Sequence, residues 1–263
     1  MSAIGYFELE GLRLRDDPAR DGCFRVVRRD GEMDDIAGSG PVARRELVHR
    51  HMSNEVTSLD IAAQCLADFP DAAWELRLEL ARQCWDESRH VKVLHRKLRA
   101  MGGRKGEFPI SAFEWNVTCA LDDLAGRLAT QNRTFEAGAM DVVGGLAPAL
   151  RGADPEIAEI LEGILADEIQ HVRFANRWIK RLVEQDRRVL LKVAAAVRFL
   201  ARANALLQGR GGGTAPAEPD DRTPAVNVED RRLAEFSDEE IAEILRQAGF
   251  RSLVPESGPA MQP

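Results

Sequence analysis

From residue 42 onward the apolar positions recur at helical spacing. Leu47, Met52, Val56, Leu59, Ala63 and Leu66 form a stripe near the 3.6-residue period, which predicts a helix from about Val42 to Asp68, ended by Phe69-Pro70-Asp71. A second stripe, Trp74, Leu78, Ala81, Trp85, Val91, Leu94 and Leu98, predicts a helix from about Ala72 to Met101 with Gly102-Gly103 as its stop. A third helix is expected to end near Gly144-Gly145. A fourth starts at Asp154-Pro155, a capping residue followed by proline at the first helical position, and runs to Gln185. A fifth, about Arg187 to Gln208, places Leu190, Leu191, Ala194, Val197 and Leu200 or Ala201 on one side and reads as a surface helix covering the others.

The remainder follows other rules. In residues 1–42, Phe7, Leu9, Leu12 and Leu14 approach strand alternation, Asp16 to Gly22 reads as a turn, and Cys23 to Val27 as a returning strand, so a β-hairpin is expected. The stretch Ala37 to Pro41 closes this extension. Residues 209–223 are a Gly/Pro/Asp-rich linker, and residues 224–263 form a tail in which Ser237-Asp238-Glu239-Glu240 is a capping box opening a helix to Ala248, with disorder expected after Pro255. The fold class is therefore all-α, with a helical bundle over 43–208. If its two hairpins are joined end to end, the chain after Met101 must climb roughly 45 Å, so part of Ile110 to Cys119 is expected to serve as a crossover.

Two stretches carry candidate chemistry: Asp86-Glu87-Ser88-Arg89-His90 and Asp167-Glu168-Ile169-Gln170-His171. Glu and His three apart share one helix face. Glu55 precedes Glu87 by 32 residues and Glu136 precedes Glu168 by the same interval. Two hairpins would thus converge Glu55, Glu87, His90, Glu136, Glu168 and His171 in a bundle core, the ligand set of a di-iron or di-manganese carboxylate site. Leu80, Val91, Leu94, Leu161, Ile164 and Val172 surround these groups, and charge on an apolar face is costly unless paired or metal-bound. Four carboxylates balance two divalent ions, and oxygen with imidazole suits iron or manganese. His49 has Glu46 at the same spacing but no upstream partner, and reads as a surface or helix-start feature.

Composition narrows the surroundings. No run of 18 apolar residues exists and the start of the chain lacks a targeting pattern, so a cytoplasmic address and no membrane contact are expected. Cys23, Cys65, Cys84 and Cys119 lack CxxC spacing and read as reduced core thiols, which leaves electron supply to an external donor such as a ferredoxin. The net charge of −7 argues against nucleic acid, although Arg173 to Arg210 holds ten basic residues against Glu184 and Asp186. That run reads as a solvated face, with a docking patch for an anion or acidic donor as the alternative.

On these residues the sequence resembles the ferritin-like superfamily. More closely it is similar to a bacterial family of uncharacterised ferritin-like domains, distantly akin to the di-iron hydroxylase that modifies tRNA. The resemblance spans about Arg44 to Leu182, through Leu47-Val-His-Arg50, Glu55, both Asp-Glu-x-x-His stretches, Phe108-Pro109, Arg127-Leu128, Phe135-Glu136-Ala137 and Asp141, and returns at Asn227 to Ser237. It implies a ferritin-like four-helix bundle with a crossover connection and extra C-terminal helices. It also implies the six named residues as ligands of two iron ions, with manganese as the alternative. Asp86 and Arg89 match a form in which Asp holds a ligand imidazole and Arg steadies the Asp; Asp167 carries over and Gln170 stands where a second Arg would be.

The expected function is an oxidoreductase that activates O2 to oxygenate or oxidise a small organic substrate, by hydroxylation or N-oxygenation. Asn132 and Arg133, one turn before Glu136, are candidates to hold an anionic substrate, against pairing with a neighbouring acid. His51, one turn before Glu55, is a candidate extra ligand or base. Tyr6 is the sole tyrosine and lies in the extension, which disfavours a stable tyrosyl radical. The alternatives are a ferroxidase or iron-handling protein and a metal-free scaffold. Oligomeric state stays open, a homodimer included.

Overall fold

A computed structural model describes residues 5–34, 36, 38, 40–207 and 226–248. Helix α1 spans Pro41–Asp68 and α2 spans Trp74–Ala100, within two residues of the bounds that the apolar stripes predict. Proline in the first turn of α1 forfeits only an N–H that has no helical partner. Gly102, at φ 77°, and the bond from Gly103 N–H to the Leu98 carbonyl close α2. The two helices pack on each other as a hairpin.

The chain then continues through β4 (Ile110–Ser111) and a short helix α3 (Phe113–Thr118), both within the segment of which part was expected to serve as a crossover. Phe113 and Val117 of this segment are buried against Leu12, Leu14 and Leu200. Asp123 caps α4 (Leu124–Thr130), which continues through a π-helical turn, Gln131–Glu136, into α5 (Ala137–Leu150). The third rod therefore does not stop at Gly144-Gly145. Gly144 is instead a close approach: a Cβ there would lie 2.5 Å from the Asn227 amide nitrogen. Helix α6 covers Pro155–Gln185, with the Asp154 side chain accepting from Ile157 N–H as its sequence predicts.

At the N-terminus β1 (Tyr6–Leu9) and β2 (Leu12–Arg15) form the hairpin, turned by Glu10 and Gly11, both at positive φ. The returning strand expected over Cys23 to Val27 goes elsewhere: β3 (Val26–Val27) pairs in parallel with β4. Two-residue turn chemistry at Glu10-Gly11 had already closed the hairpin. Helix α7 (Val189–Leu207) covers the bundle, but with Ala196, Leu200, Ala203 and Leu207 inward. Leu190, Leu191 and Val197, expected on the covering side, face outward, because the small residues allow the closer approach. The tail forms α8 (Val228–Leu233), which no apolar stripe foretold, and α9 (Asp238–Gln247), whose capping box is complete. Both pack on Ala137, Met140 and Val172, and Arg231 pairs with Asp141. Part of the basic run is consumed here, Arg177 and Lys180 bonding Glu235. The linker and the end after Pro255 lie outside the described residues.

The core is layered along the bundle. Val48, Met52, Leu94, Leu98, Val143, Ala147 and Leu161 form one apolar layer, and Ile61, Leu76, Leu80, Leu128, Ala175 and Ile179 another. The acidic and histidine positions fall between them in each helix. Leu98 is fully enclosed, so Leu98→Ala is expected to cost about 2–5 kcal/mol, read as a lowered denaturant midpoint at unchanged slope. Cys65 and Cys119 are buried and Cys84 half-buried, while Cys23, expected in the core, is exposed in the turn that precedes β3. Among the described residues no helix is long and apolar enough to cross a membrane.

Candidate metal centre

Four segments each deliver part of one buried cluster. Glu55 comes from α1, Glu87 and His90 from α2, Glu136 from the last position of the π turn, and Glu168 and His171 from α6. Two groups of donors form. Glu55, Glu87, His90 and Glu168 have ligand atoms within 4.8 Å of one another, and so do Glu87, Glu136, Glu168 and His171. Glu87 and Glu168 belong to both. Each can offer one oxygen to either side.

Both imidazoles turn Nδ1 inward. His90 Nδ1 lies 3.1 Å from Glu55 Oε2 and 3.1 Å from Glu87 Oε2. His171 Nδ1 lies 3.4 Å from Glu87 Oε1 and 3.5 Å from Glu168 Oε2. Behind the rings the two repeats exchange partners. His90 Nε2 of α2 meets Asp167 of α6 at 3.1 Å, and His171 Nε2 of α6 meets Asp86 of α2 at 3.4 Å. Arg89 donates to both aspartates, 2.5 Å to Asp86 and 2.9 Å to Asp167, so one guanidinium serves both sides and Gln170 is left facing Arg173. Such outer bonds fix ring orientation and basicity. Asp86→Asn is therefore expected to lower metal affinity about tenfold or more, with the defect on the side of His171 rather than of its own neighbour His90; competition against a chromogenic chelator measures it.

Glu136 sits in a cradle of amides. Gln83 donates to it at 2.5 Å, Asn132 at 2.8 Å and Gln131 at 3.5 Å, and Asn132 also donates to Gln83 at 3.1 Å. Asn132 thus positions a carboxylate and does not line an open substrate space. Arg133 points the other way, donating to Asn176 at 3.0 Å, pairing with Glu240 and stacking over Phe236. The wider i→i+5 turn displaces it from the face of Glu136. His51 is half-buried and lines the small void beside Glu55 without joining either donor group. His49 corrects its surface assignment: it is fully buried between Phe24 and Phe108, its Nε2 accepting from Gly106 N–H.

Two groups at the site had gone unnoticed in the sequence. Gln83 precedes Glu87 by four, a spacing that places it on the same face. Glu114 belongs to α3 in the crossover, where no periodicity points to the site.

The carboxylates and imidazoles of the cluster strain one another electrostatically. Burial, then the charges of Glu168 and Glu55, pushes Glu87 well above the usual carboxylate range. Burial and Glu168 push Glu136 up to about 8. Glu55 is opposed by burial yet held down at about 2 by hydrogen bonds with His90 and Glu87. Burial also opposes, and Glu168 and Asp86 outweigh it to raise, the His171 value. Glu114 is pushed up to about 7 by burial and by Glu55 and Glu168. Protons or metal must neutralise such a cluster. Metal fits better, because Glu168 Oε2 and His171 Nδ1 are buried without a hydrogen-bond partner, both on the inner side. The cluster can hold a metal ion.

A protein-family profile described as "Protein of unknown function (DUF455)" matches residues 9–242. No curated protein matches the chain.

Proposed function

We propose that this chain, which belongs to that family of unknown function (DUF455), is a ferritin-like oxidoreductase that uses O2 and two iron ions to oxidise a small organic molecule. The carrying observation is the pair of overlapping donor groups that share Glu87 and Glu168. Glu55, Glu87, His90 and Glu168 would hold one ion, and Glu87, Glu136, Glu168 and His171 the other. Oxygen and imidazole donors without thiolate favour iron, with manganese second. Bound iron would supply O2 activation, and the protein supplies the rest.

Asp86, Asp167 and Arg89 keep both imidazole Nδ1 atoms directed inward. Gln83, Gln131 and Asn132 hold Glu136 by its oxygens. The apolar layers above and below exclude water from the carboxylates, and a cavity of about 350 Å³ beside the cluster offers room for an organic molecule. That cavity favours substrate oxidation over iron storage. Electrons would come from a separate redox protein, as the chain lacks a CxxC pair. The test is anaerobic loading with ferrous iron followed by mixing with O2. Two irons per chain and an oxygen-dependent optical change support the reading. Absence of iron uptake, or an iron-filled shell-sized particle on size exclusion, would replace it.

A further inference from the structure

The cavity of about 350 Å³ and the void of about 50 Å³ over the cluster share Asn54, Glu114 and Phe135 in their walls. Taken together as one chamber, they comprise a larger part against Arg50, Asn54 and Thr57 of α1 and a smaller part lined by Glu55, Glu136 and Glu168. Its wall chemistry is asymmetric. Arg50, on the outer side, is turned to Glu46, its Nε 2.6 Å from Oε1. Glu114, at the junction, has no hydrogen-bond or ion-pair partner among the described residues. Phe113 and Phe135 stand edge to face at 6.1 Å beside it. The Asn54 and Asn204 side chains make no hydrogen bond among the described residues and add neutral polar groups to the wall.

We propose that this chamber selects small organic cations, receiving a primary amine as its ammonium at Glu114 with the Phe113 and Phe135 rings alongside. The inference rests on the oxidase reading above and names its substrate class. A carboxylate flanked by aromatic rings is the pairing that recognises ammonium groups. An anion would instead meet Glu114 and the glutamates beyond it, with Arg50 already engaged and Arg133 on another face. A short aliphatic amine anchored at Glu114 extends its chain toward the narrow end, over the cluster.

The test uses the full chain, iron-loaded and chelator-stripped, with butylammonium, n-butanol and butyrate as probes in calorimetric titration, above the pH of about 7 at which Glu114 gains its charge. Butylammonium is expected to bind about tenfold more tightly than butanol, and butyrate more weakly than both. Glu114→Gln should abolish the preference at unchanged iron content and circular dichroism, and Glu114→Asp should restore part of it. Tighter binding of butyrate, a preference that survives Glu114→Gln, or iron loss in that variant would each overturn the proposal. Iron uptake is scored separately. Amine selectivity in a chain that takes up no iron would remove the oxidase reading while the selectivity stands; iron uptake without selectivity does the opposite.

Discussion

Glu87→Ala is expected to yield purified protein with essentially no iron, whereas Glu55→Ala and Glu136→Ala each retain roughly half the wild-type content. The contrast follows from shared and unshared donors. Removing Glu87 strips an oxygen from both groups at once and leaves each with two carboxylates and one imidazole at most. Removing Glu55 or Glu136 damages one group only. Glu168→Ala should behave as Glu87→Ala does, since Glu168 is the other shared residue. Elemental analysis of protein grown with iron decides the matter, with thermal melting as a control for folding, because a truncated buried glutamate also relieves like-charge repulsion in the empty site. Equal metal in the four variants and the wild type would contradict the two-position arrangement.

The second large effect is on pH dependence. Without metal, folding stability is expected to fall as pH rises from about 5 to about 8, and the stability that metal adds should grow over the same range. In the empty cluster Glu136 and Glu87 hold protons that the unfolded chain releases near 4.5. An acid with a raised folded pKa stabilises less as pH climbs from its unfolded value through its folded one. His90 and His171, both raised because neighbouring carboxylates outweigh burial, contribute stability that is complete below 6.5 and lost above it, which has the same sign. Glu55, held at about 2, acts oppositely but has finished by 4.5. The Glu136 shift alone corresponds to on the order of 5 kcal/mol, an upper figure because the carboxylates share charge. Calorimetric melting with chelator and with metal at the two pH values should therefore show a gap widening by roughly 10 °C. A gap that narrows toward alkaline pH would mean that the glutamates are not buried together.

The buried cluster was legible in the sequence because two independent periodicities agreed. Glu and His at i and i+3 fix a common face, and the repeated interval of 32 residues sets Glu55 and Glu136 at the depth of Glu87 and Glu168. The long helices were legible for the same reason, their apolar stripes being uninterrupted. What failed did so where local spacing and tertiary placement part. Arg133 sits one α-turn before Glu136 on paper, but the π turn shifts its phase and delivers it to Glu240. Helix α7 shows more hydrophobicity on Leu190, Leu191 and Val197, yet Ala196, Ala203 and Leu207 face inward together with the expected Leu200. Glu114 reaches the site through an irregular crossover, so no stripe or repeat could have flagged it. His49 shared the motif spacing but lies a turn and a half of helix before Glu55, too far along α1 to join the cluster.

The partner exchange behind the imidazoles makes neither repeat self-sufficient. Each hairpin contributes an Asp whose ring belongs to its counterpart, the reciprocal relation expected across a twofold axis, where residue i meets j and j meets i. A fragment holding only α1 and α2 would present His90 with no carboxylate at Nε2 and Asp86 with no imidazole to orient. Two such fragments meeting face to face could satisfy both needs at once. The linked chain thus carries a contact of isologous form within a single polypeptide, and covalent joining lets its halves differ, as they do at Arg89 and Gln170.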